Sequence, residues 1–517
     1  MNEGKAILSH VFGYDSFRPG QEKAVTALLA GRDVLAVMPT GAGKSICYQV
    51  PALVRKHVTI VISPLISLMM DQVSALRQNG VRAAFINSTL TPSQQHKALL
   101  NAHEGLYRIV YVAPERLLTD AFLSFACQTK LDFVIVDEAH CVSQWGQDFR
   151  PAYLSIAPFL DALPSRPPVG AFTATATVNV RSDIERLIGL RKPYQVLTGF
   201  NRPNLFFEVQ RPDDRDQALL SFVQNHREES GIVYCATRKA AEHVAEMLRE
   251  NGIEAGCYHA GMGDEERALV QERFVTDQLH VIAATNAFGM GIDKSNVTFV
   301  VHYQMPKDLE SYYQEAGRAG RDGSEAHCLL LYKPQDVWLQ RFFLDKQEEN
   351  SELDTETRKA VRERAELRLR EMTFYATRSG CLRECILRYF GESSKPCGYC
   401  GNCLGIAYKN AVDVEIAVKA RKSADNGLRL DGTRRLTEEI GEPLLFNRLS
   451  DLRSRIAKEQ KVPPFIIFTN VTLQDMVKKK PQSREEMLRI IGVGEGKMER
   501  YGEAFLREIA KWKEEQR

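Results

Sequence analysis

The chain has 517 residues, enough for three or four domains at roughly 150 residues each. Hydrophobic residues make up 44% and charged residues 26%, an ordinary globular balance, and no apolar run approaches the roughly 18 residues of a membrane span. The opening MNEGKAILSH has no basic stretch followed by an apolar core, so a cytoplasmic protein with no secretory signal is expected. With a net charge of only +2, bulk charge does not draw the chain to a polyanion, and any nucleic-acid affinity has to come from local clefts and loops.

Two stretches alternate short apolar runs with longer helical patterns, the signature of parallel sheets built from βαβ units. The first, residues 1–204, offers strands at Val34–Val37, Thr59–Ile62, Arg108–Val112, Phe133–Val136 and Val169–Phe172. The first of these runs into VLAVMPTGAGKS, a glycine-rich turn that ends Gly43-Lys44-Ser45. Such a loop (Thr40, Gly41, Gly43, Lys44, Ser45) points backbone N–H groups at a phosphate at the start of a helix, with Lys44 reaching the β- and γ-phosphates and Ser45 ligating Mg²⁺. Met38 stands where the strict pattern has glycine or alanine. About 90 residues later LDFVIVDEAH ends a buried strand in Asp137 and Glu138. Asp137 suits a Mg²⁺ ligand, and Glu138 can orient or deprotonate the attacking water.

The linker-like GFNRPN (199–204) leads to a second stretch, 205–335, with strands at Gly231–Tyr234, Val281–Ala284, Phe299–His302 and Cys328–Tyr332. Near its end QEAGRAGRDG places Arg318 and Arg321 three apart, predicted to share one helix face. An arginine finger on a departing phosphate is worth about 10³–10⁵ in rate. Supplied by the second sheet, the fingers would tie hydrolysis to closure of two domains.

From 336 strand signals give way to charged helical patterns and a cysteine cluster, residues 336–406. Cys397, Cys400 and Cys403 are evenly spaced, with Cys381 and Cys385 upstream, a spacing that suits structural zinc with either upstream thiol as the fourth ligand. The six other cysteines read as buried free thiols. Residues 407–440 read as a linker, and 441–517 as a small helical domain with Leu445, Leu449 and Phe468 in its core.

The ordered series FRPGQ (17–21), PTGAGKS (39–45), SPLISLMMDQ (63–72), DEAH (137–140), TATAT (173–177), TNAFGMGIDK (285–294) and YYQEAGRAGRDG (312–323) resembles the RecQ family of superfamily 2 DNA helicases. The resemblance implies two tandem RecA-like α/β domains, a helical zinc module and an all-α HRDC-like domain. It also implies ATP, Mg²⁺ and Zn²⁺ as cofactors, and 3′→5′ unwinding in DNA repair and recombination. Tyr14, Arg18 and Gln21 match the family's adenine-recognition motif, with Gln21 reading the base edge. Residues 141–151 resemble the aromatic-rich loop that contacts single-stranded DNA. There Trp145 and Phe149 would stack on bases, worth about 1–3 kcal/mol each, and Arg150 would take a phosphate. Thr173 and Thr175 would link the ATP site to the DNA track. Ser63, Thr237 and Thr285 read equally as phosphate contacts or helix caps.

In the family a cysteine stands eight residues before Tyr-Phe-Gly-Glu, which here begins at Tyr389 and selects Cys381 over Cys385. The usual Cys-Arg-Arg reads Cys381-Leu382-Arg383. The turn Gly492-Val493-Gly494 in the tail could offer N–H groups to a phosphate. Only 41 residues separate Cys403 from Leu445, fewer than the roughly 50 of a domain with its own core, so the family's winged helix is expected to be missing. The expected partners are single-stranded and forked or tailed duplex DNA, and a single-strand-binding or other repair protein. A nucleoid-associated bacterial monomer with no membrane contact is expected. A weakly unwinding translocase or annealing remodeller, a silent scaffold and an RNA substrate are the rival readings.

Overall fold

The computed structural model describes residues 2–515 apart from 145–147, 228, 289–293, 295, 350–354, 406–442 and 461, and apart from the side chains of 347, 349, 355–357 and 443. The expected linker 407–440 and Trp145 therefore lie outside the described residues. The chain divides into two compact units. One holds Met1–Phe200, Met290–Asp293 and Thr437–Arg517, and the other Asn201–Gly289 and Lys294–Leu436.

The first unit contains a seven-stranded sheet made of β1 (Val34–Val37), β2 (Val58–Ile62), β3 (Ala83–Ile86), β4 (Ile109–Val112), β5 (Leu131–Val136), β6 (Val169–Thr173) and β7 (Tyr194–Leu197). Its order is β3-β4-β2-β5-β6-β1-β7, and every pairing is parallel. Parallel strands joined by crossover helices are covered on both faces, so all of β1, β2 and β4 is buried. That is why these strands read as continuous apolar runs. β3 and β7 are additions to the sequence reading.

The helical tail belongs to the same unit. Its core gathers Leu445, Leu449, Phe468, Leu473, Met476, Ile509 and Trp512. It packs on the first domain by close backbone approach. The Gly492 N–H donates to the Gly13 carbonyl at 2.7 Å, and a Cβ on Gly494 would stand 2.6 Å from the Val11 carbonyl oxygen. Tyr501 Oη and Arg500 Nη1 both donate to Gln78 Oε1. With one N–H bonded to Gly13 and that of Val493 bonded to Ile490, the expected phosphate cradle at 492–494 is instead an intramolecular seam.

In the second unit β8 (Leu205–Gln210), β9 (Ser230–Tyr234), β10 (Ala255–Tyr258), β11 (Val281–Ala284), β12 (Val297–His302) and β13 (Ala326–Leu331) form a parallel sheet of order β10-β11-β9-β12-β13-β8. β8 and β10 are further strands absent from the sequence reading. Helices Gln335–Glu349, Thr355–Thr377 and Leu382–Tyr389 follow.

One contact in this unit gives a pH test. Glu310, in the first turn of the helix Leu309–Ala316, is buried and accepts a hydrogen bond from Tyr389 Oη. Burial pushes its carboxyl up to about 7, with Asp308 adding and the Tyr389 bond and Arg368 opposing. Because the folded pKa exceeds the unfolded one, the stabilisation is full below about 4.5 and lost as pH rises through about 7, on the order of a few kcal/mol. Glu310→Gln should therefore melt above the wild type at pH 8 and level with it near pH 5. Equal melting at both pH values would contradict a proton held at Glu310.

Candidate functional site

β1 ends at Val37, and the chain turns through 39–43 into the helix Lys44–Val54. Gly41 (φ 81°) and Gly43 (φ 75°) adopt left-handed conformations that side chains resist. A Cβ at Gly43 would also meet Gln21 Nε2 at 2.6 Å. That contact exposes a role the sequence reading missed. Gln21 Nε2 donates to the carbonyls of Ala42 and Gly43, both at 3.0 Å, and Gln21 Oε1 accepts the Arg18 N–H at 2.8 Å. Arg18 Nη1 donates to the Gly41 carbonyl at 2.6 Å. Arg18 and Gln21 thus brace the phosphate loop, and the Gln21 amide expected to read a base edge is spent on that loop. Tyr14 packs at the edge of the same core.

Lys44 Nζ rests on the Met38 carbonyl at 3.4 Å. Asp137 follows β5 and is buried. Burial pushes its carboxyl up to about 7, Glu138 adding and Lys44 opposing. Lys44 and Ser45 stand at the start of the neighbouring helix. Glu138 adopts a left-handed conformation (φ 46°) and lies 3.4 Å from His140 Nδ1.

His140 is a second residue the sequence reading left without a task. Its Nδ1 shares a 2.9 Å hydrogen bond with Thr173 Oγ1, whose hydroxyl donates to the Thr175 carbonyl at 3.0 Å. Burial lowers the His140 pKa, so the neutral ring is favoured. The acidic string after β5 is therefore wired to the threonine string at the end of β6. The DEAH string itself was the available signal.

Phe149 and Arg150 are half-buried. Arg150 Nη1 donates to the Pro64 carbonyl at 2.7 Å and Nε to Asp148 at 3.2 Å. Rather than extending free toward a phosphate, Arg150 anchors its loop to the segment after β2. Ser63 is fully buried, Thr237 caps the helix Arg238–Glu250 through Ala240 N–H, and Thr285 Oγ1 accepts the Ala287 N–H.

In the second unit the expectation of one helix face for Arg318 and Arg321 is corrected. The helix ends at Ala316, and both arginines sit in turns beyond it, broken by Gly320 (φ 57°) and Gly323 (φ 95°). Arg318 is buried beside Tyr234, at the end of β9, and both arginine charges draw the Tyr234 pKa down against its burial. The cluster remains, but glycine turns set its aim.

The four thiols of Cys381, Cys397, Cys400 and Cys403 lie within 4.8 Å of one another. Cys381 caps the helix Leu382–Tyr389, accepting the N–H groups of Glu384 and Cys397. The sulfurs meet one another, Cys381 with Cys397 at 3.5 Å and Cys397 with Cys403 and Cys400 with Cys381 at 4.0 Å. Cys385 stays outside the cluster.

Two parallel sheets, the phosphate loop, the acidic strand end and the arginine turn together define an ATP-dependent helicase. Family models agree: DEAD/DEAH box helicase matches residues 18–183 and helicase conserved C-terminal domain residues 214–323. RecQ zinc-binding matches residues 334–404, and the HRDC domain residues 442–509. The chain belongs to the RecQ family of ATP-dependent DNA helicases. It is 40% identical to the ATP-dependent DNA helicase RecQ of Bacillus subtilis, covering 98% of each chain, and 36% identical to that of Haemophilus influenzae, covering 97% of this chain and 94% of the relative. The first of these alignments runs to 591 positions, more than this chain's 517 residues, so the relative carries residues that this chain lacks. In fold it is similar to the Mycobacterium smegmatis helicase Lhr bound to ssDNA and AMP-PNP, at 19% identity and a TM-score of 0.52, covering 70% of this chain and 56% of that one. No helix among the described residues is long and apolar enough to cross a membrane.

Proposed function

We propose that this helicase couples ATP hydrolysis to 3′→5′ movement along one DNA strand and separates duplex during repair and recombination. The observation that carries the reading is the chain of contacts from Glu138 through His140 and Thr173 to Thr175, which joins the acidic end of the nucleotide site to the next strand end. Lys44, with Thr40, Gly41 and Gly43, holds the phosphates, and Ser45 and Asp137 hold Mg²⁺, which neutralises phosphate charge. Glu138 orients the attacking water, and Arg318 and Arg321 meet charge on the departing phosphate. Tyr14 lies against the adenine, with Arg18 and Gln21 bracing the loop. Trp145, Phe149 and Arg150 form the DNA-facing loop, with Arg150 acting as its anchor. Zn²⁺ sits on Cys381, Cys397, Cys400 and Cys403 in a purely structural role, since four thiolates leave no open position. The protein works as a monomer on tailed or forked DNA at the bacterial nucleoid, alongside single-strand-binding or repair proteins.

Lys44→Ala should lower single-strand-stimulated ATP turnover by roughly 10²-fold or more, because Lys44 is the cation at the start of the helix after the loop, whereas the Arg18 guanidinium is spent on the Gly41 carbonyl. Near-normal turnover would return the silent scaffold to favour. ATPase and unwinding measured together on 3′-tailed, 5′-tailed and blunt DNA test the rest, and unwinding from the 5′ tail alone would reverse the polarity.

A second reading, a translocase or annealing remodeller with weak unwinding, draws on the short stretch 405–441 between the zinc-binding and HRDC matches. ATP turnover without strand separation on the 3′-tailed substrate would select this reading.

A further inference from the structure

The turn that carries Arg318 and Arg321 begins where a helix has ended, so its carbonyls lack helical N–H partners. They accept from two side chains more than a hundred residues away. Arg202 Nη2 donates to the carbonyls of Ala319 at 3.1 Å and Gly320 at 2.7 Å, and Nη1 to that of Gly317 at 3.4 Å. Its Nε donates to Asn204 Oδ1 at 3.3 Å. Asn204 Nδ2 in turn donates to the carbonyls of Gly320 at 3.0 Å and Ser324 at 2.7 Å. The backbone on both sides of Arg318, and immediately before Arg321, is thus gripped by two side chains. The fit is close, since a Cβ on Gly320 would stand 2.5 Å from Asn204 Nδ2.

The stretch that carries Arg202 is itself held from the four-thiol module. Arg383, two residues after Cys381, is only 5% exposed. Its Nη1 donates to Asn201 Oδ1 at 3.3 Å and to the Arg202 carbonyl, and its Nη2 to the Leu205 carbonyl at 2.5 Å. The guanidinium lies over the Phe207 ring, 5.3 Å from its centroid. The cysteine knuckle adds a second hold on β8, through Gly401 N–H to the Phe207 carbonyl at 2.8 Å. An unbroken series of contacts therefore runs from the thiol cluster through Arg383, the 201–205 backbone and Arg202 to the arginine turn.

We infer that Arg202 and Arg383 are positioning residues for ATP hydrolysis, through which the four-thiol site sets the aim of Arg318 and Arg321. The inference rests on the reading that those two arginines act at the phosphate. A guanidinium suits the task because its rigid fork of five donors can satisfy several carbonyls at once and fix their spacing, which an ammonium on a flexible stem cannot. Displacing a catalytic group by about 1 Å can cost about 10²-fold in rate.

The test compares Arg202→Gln, Arg202→Lys, Asn204→Ala, Arg383→Gln and Arg321→Ala in the full chain. Single-strand-stimulated ATPase gives kcat and KM, alongside zinc content and melting temperature. Arg202→Gln should lose about 10- to 100-fold in kcat with KM for ATP and zinc content near wild type. Arg202→Lys should fail to restore the rate, and Arg383→Gln and Asn204→Ala should lose several-fold in kcat. Wild-type kcat in the Arg202 variants, with Arg321→Ala inactive, overturns the inference. So does a fall of kcat only in step with zinc content and melting temperature. Should Arg202→Gln fail to fold, Asn204→Ala decides in the same way. Wild-type turnover in Arg321→Ala defeats the phosphate role of that arginine instead, an outcome distinct from failure of Arg202.

Discussion

Arg321→Ala should cut single-strand-stimulated ATP hydrolysis by about 10³-fold or more while nucleotide binding stays within a few-fold of wild type. Charge builds on the phosphate mainly as the bond breaks, so a group that meets it there lowers the barrier without tightening ground-state binding. Arg321 is only partly buried and follows Gly320, whose left-handed backbone turns the chain there. Arg318, by contrast, is buried beside Tyr234, and its loss would mix a structural cost with a catalytic one. Arg321 is therefore the cleaner probe. Arg321→Lys should recover little, because an ammonium offers a point charge where a bidentate fork is needed. Steady-state turnover and fluorescent-nucleotide binding decide the matter. A variant that hydrolyses normally would remove Arg321 from the phosphate, and one that loses binding in the same measure as rate would make its contact a ground-state one.

Much of the architecture could be read from the residues because parallel strands buried on both faces appear as unbroken apolar runs. β1 and β11 fall where VLAV and VIAA stand. Three of the strands that escaped notice, β7, β8 and β10, broke this pattern for identifiable reasons. β8, LFFEVQ, ends in polar residues that are nevertheless buried, with Glu208 bonded to His327 and Gln210. β7 is half exposed at a sheet edge, and β10 is short and contains glycine. The site divides in the same way. The residues of the proposed site were legible in Lys44, Asp137 and the cysteine spacing, because each depends on a short string. Their wiring was not. His140 meets Thr173 across 33 positions and Arg202 meets Gly320 across 118, and no local pattern encodes a partner at such range. The helix forecast for the arginines failed because spacing of three was weighed above the glycines that end the helix. At 492–494 glycine had a different use, close approach of two backbones, which sequence alone cannot tell from a phosphate cradle.

Removal of the metal from the four-thiol site should undo more than the knuckle. From Gly391 to Gly405 the chain has turns and bends but no helix or strand, so its path depends on the thiol cluster and on a few tethers such as Gly401 N–H to the Phe207 carbonyl and Asn402 to the Arg378 and Gly380 carbonyls. Four sulfurs within 4.8 Å of one another are an unfavourable assembly unless a cation neutralises the thiolates. Structural zinc contributes apparent energies of about 10–16 kcal/mol in small peptides, so even a fraction of that exceeds the margin of an ordinary domain. Cys400→Ser should therefore lose the metal and lower the melting temperature sharply. Chelation should do the same to the wild type, more readily at acidic pH where protons compete for the thiolates. Cys385→Ser is the control, since that thiol is buried nearby but outside the cluster and should keep full metal content. Because Arg383 begins the hold on the 201–205 backbone only two residues from Cys381, turnover should fall in the metal-free protein before its sheets unfold. Metal-free protein that hydrolyses ATP at the wild-type rate would mean that the arginine turn keeps its shape without the knuckle.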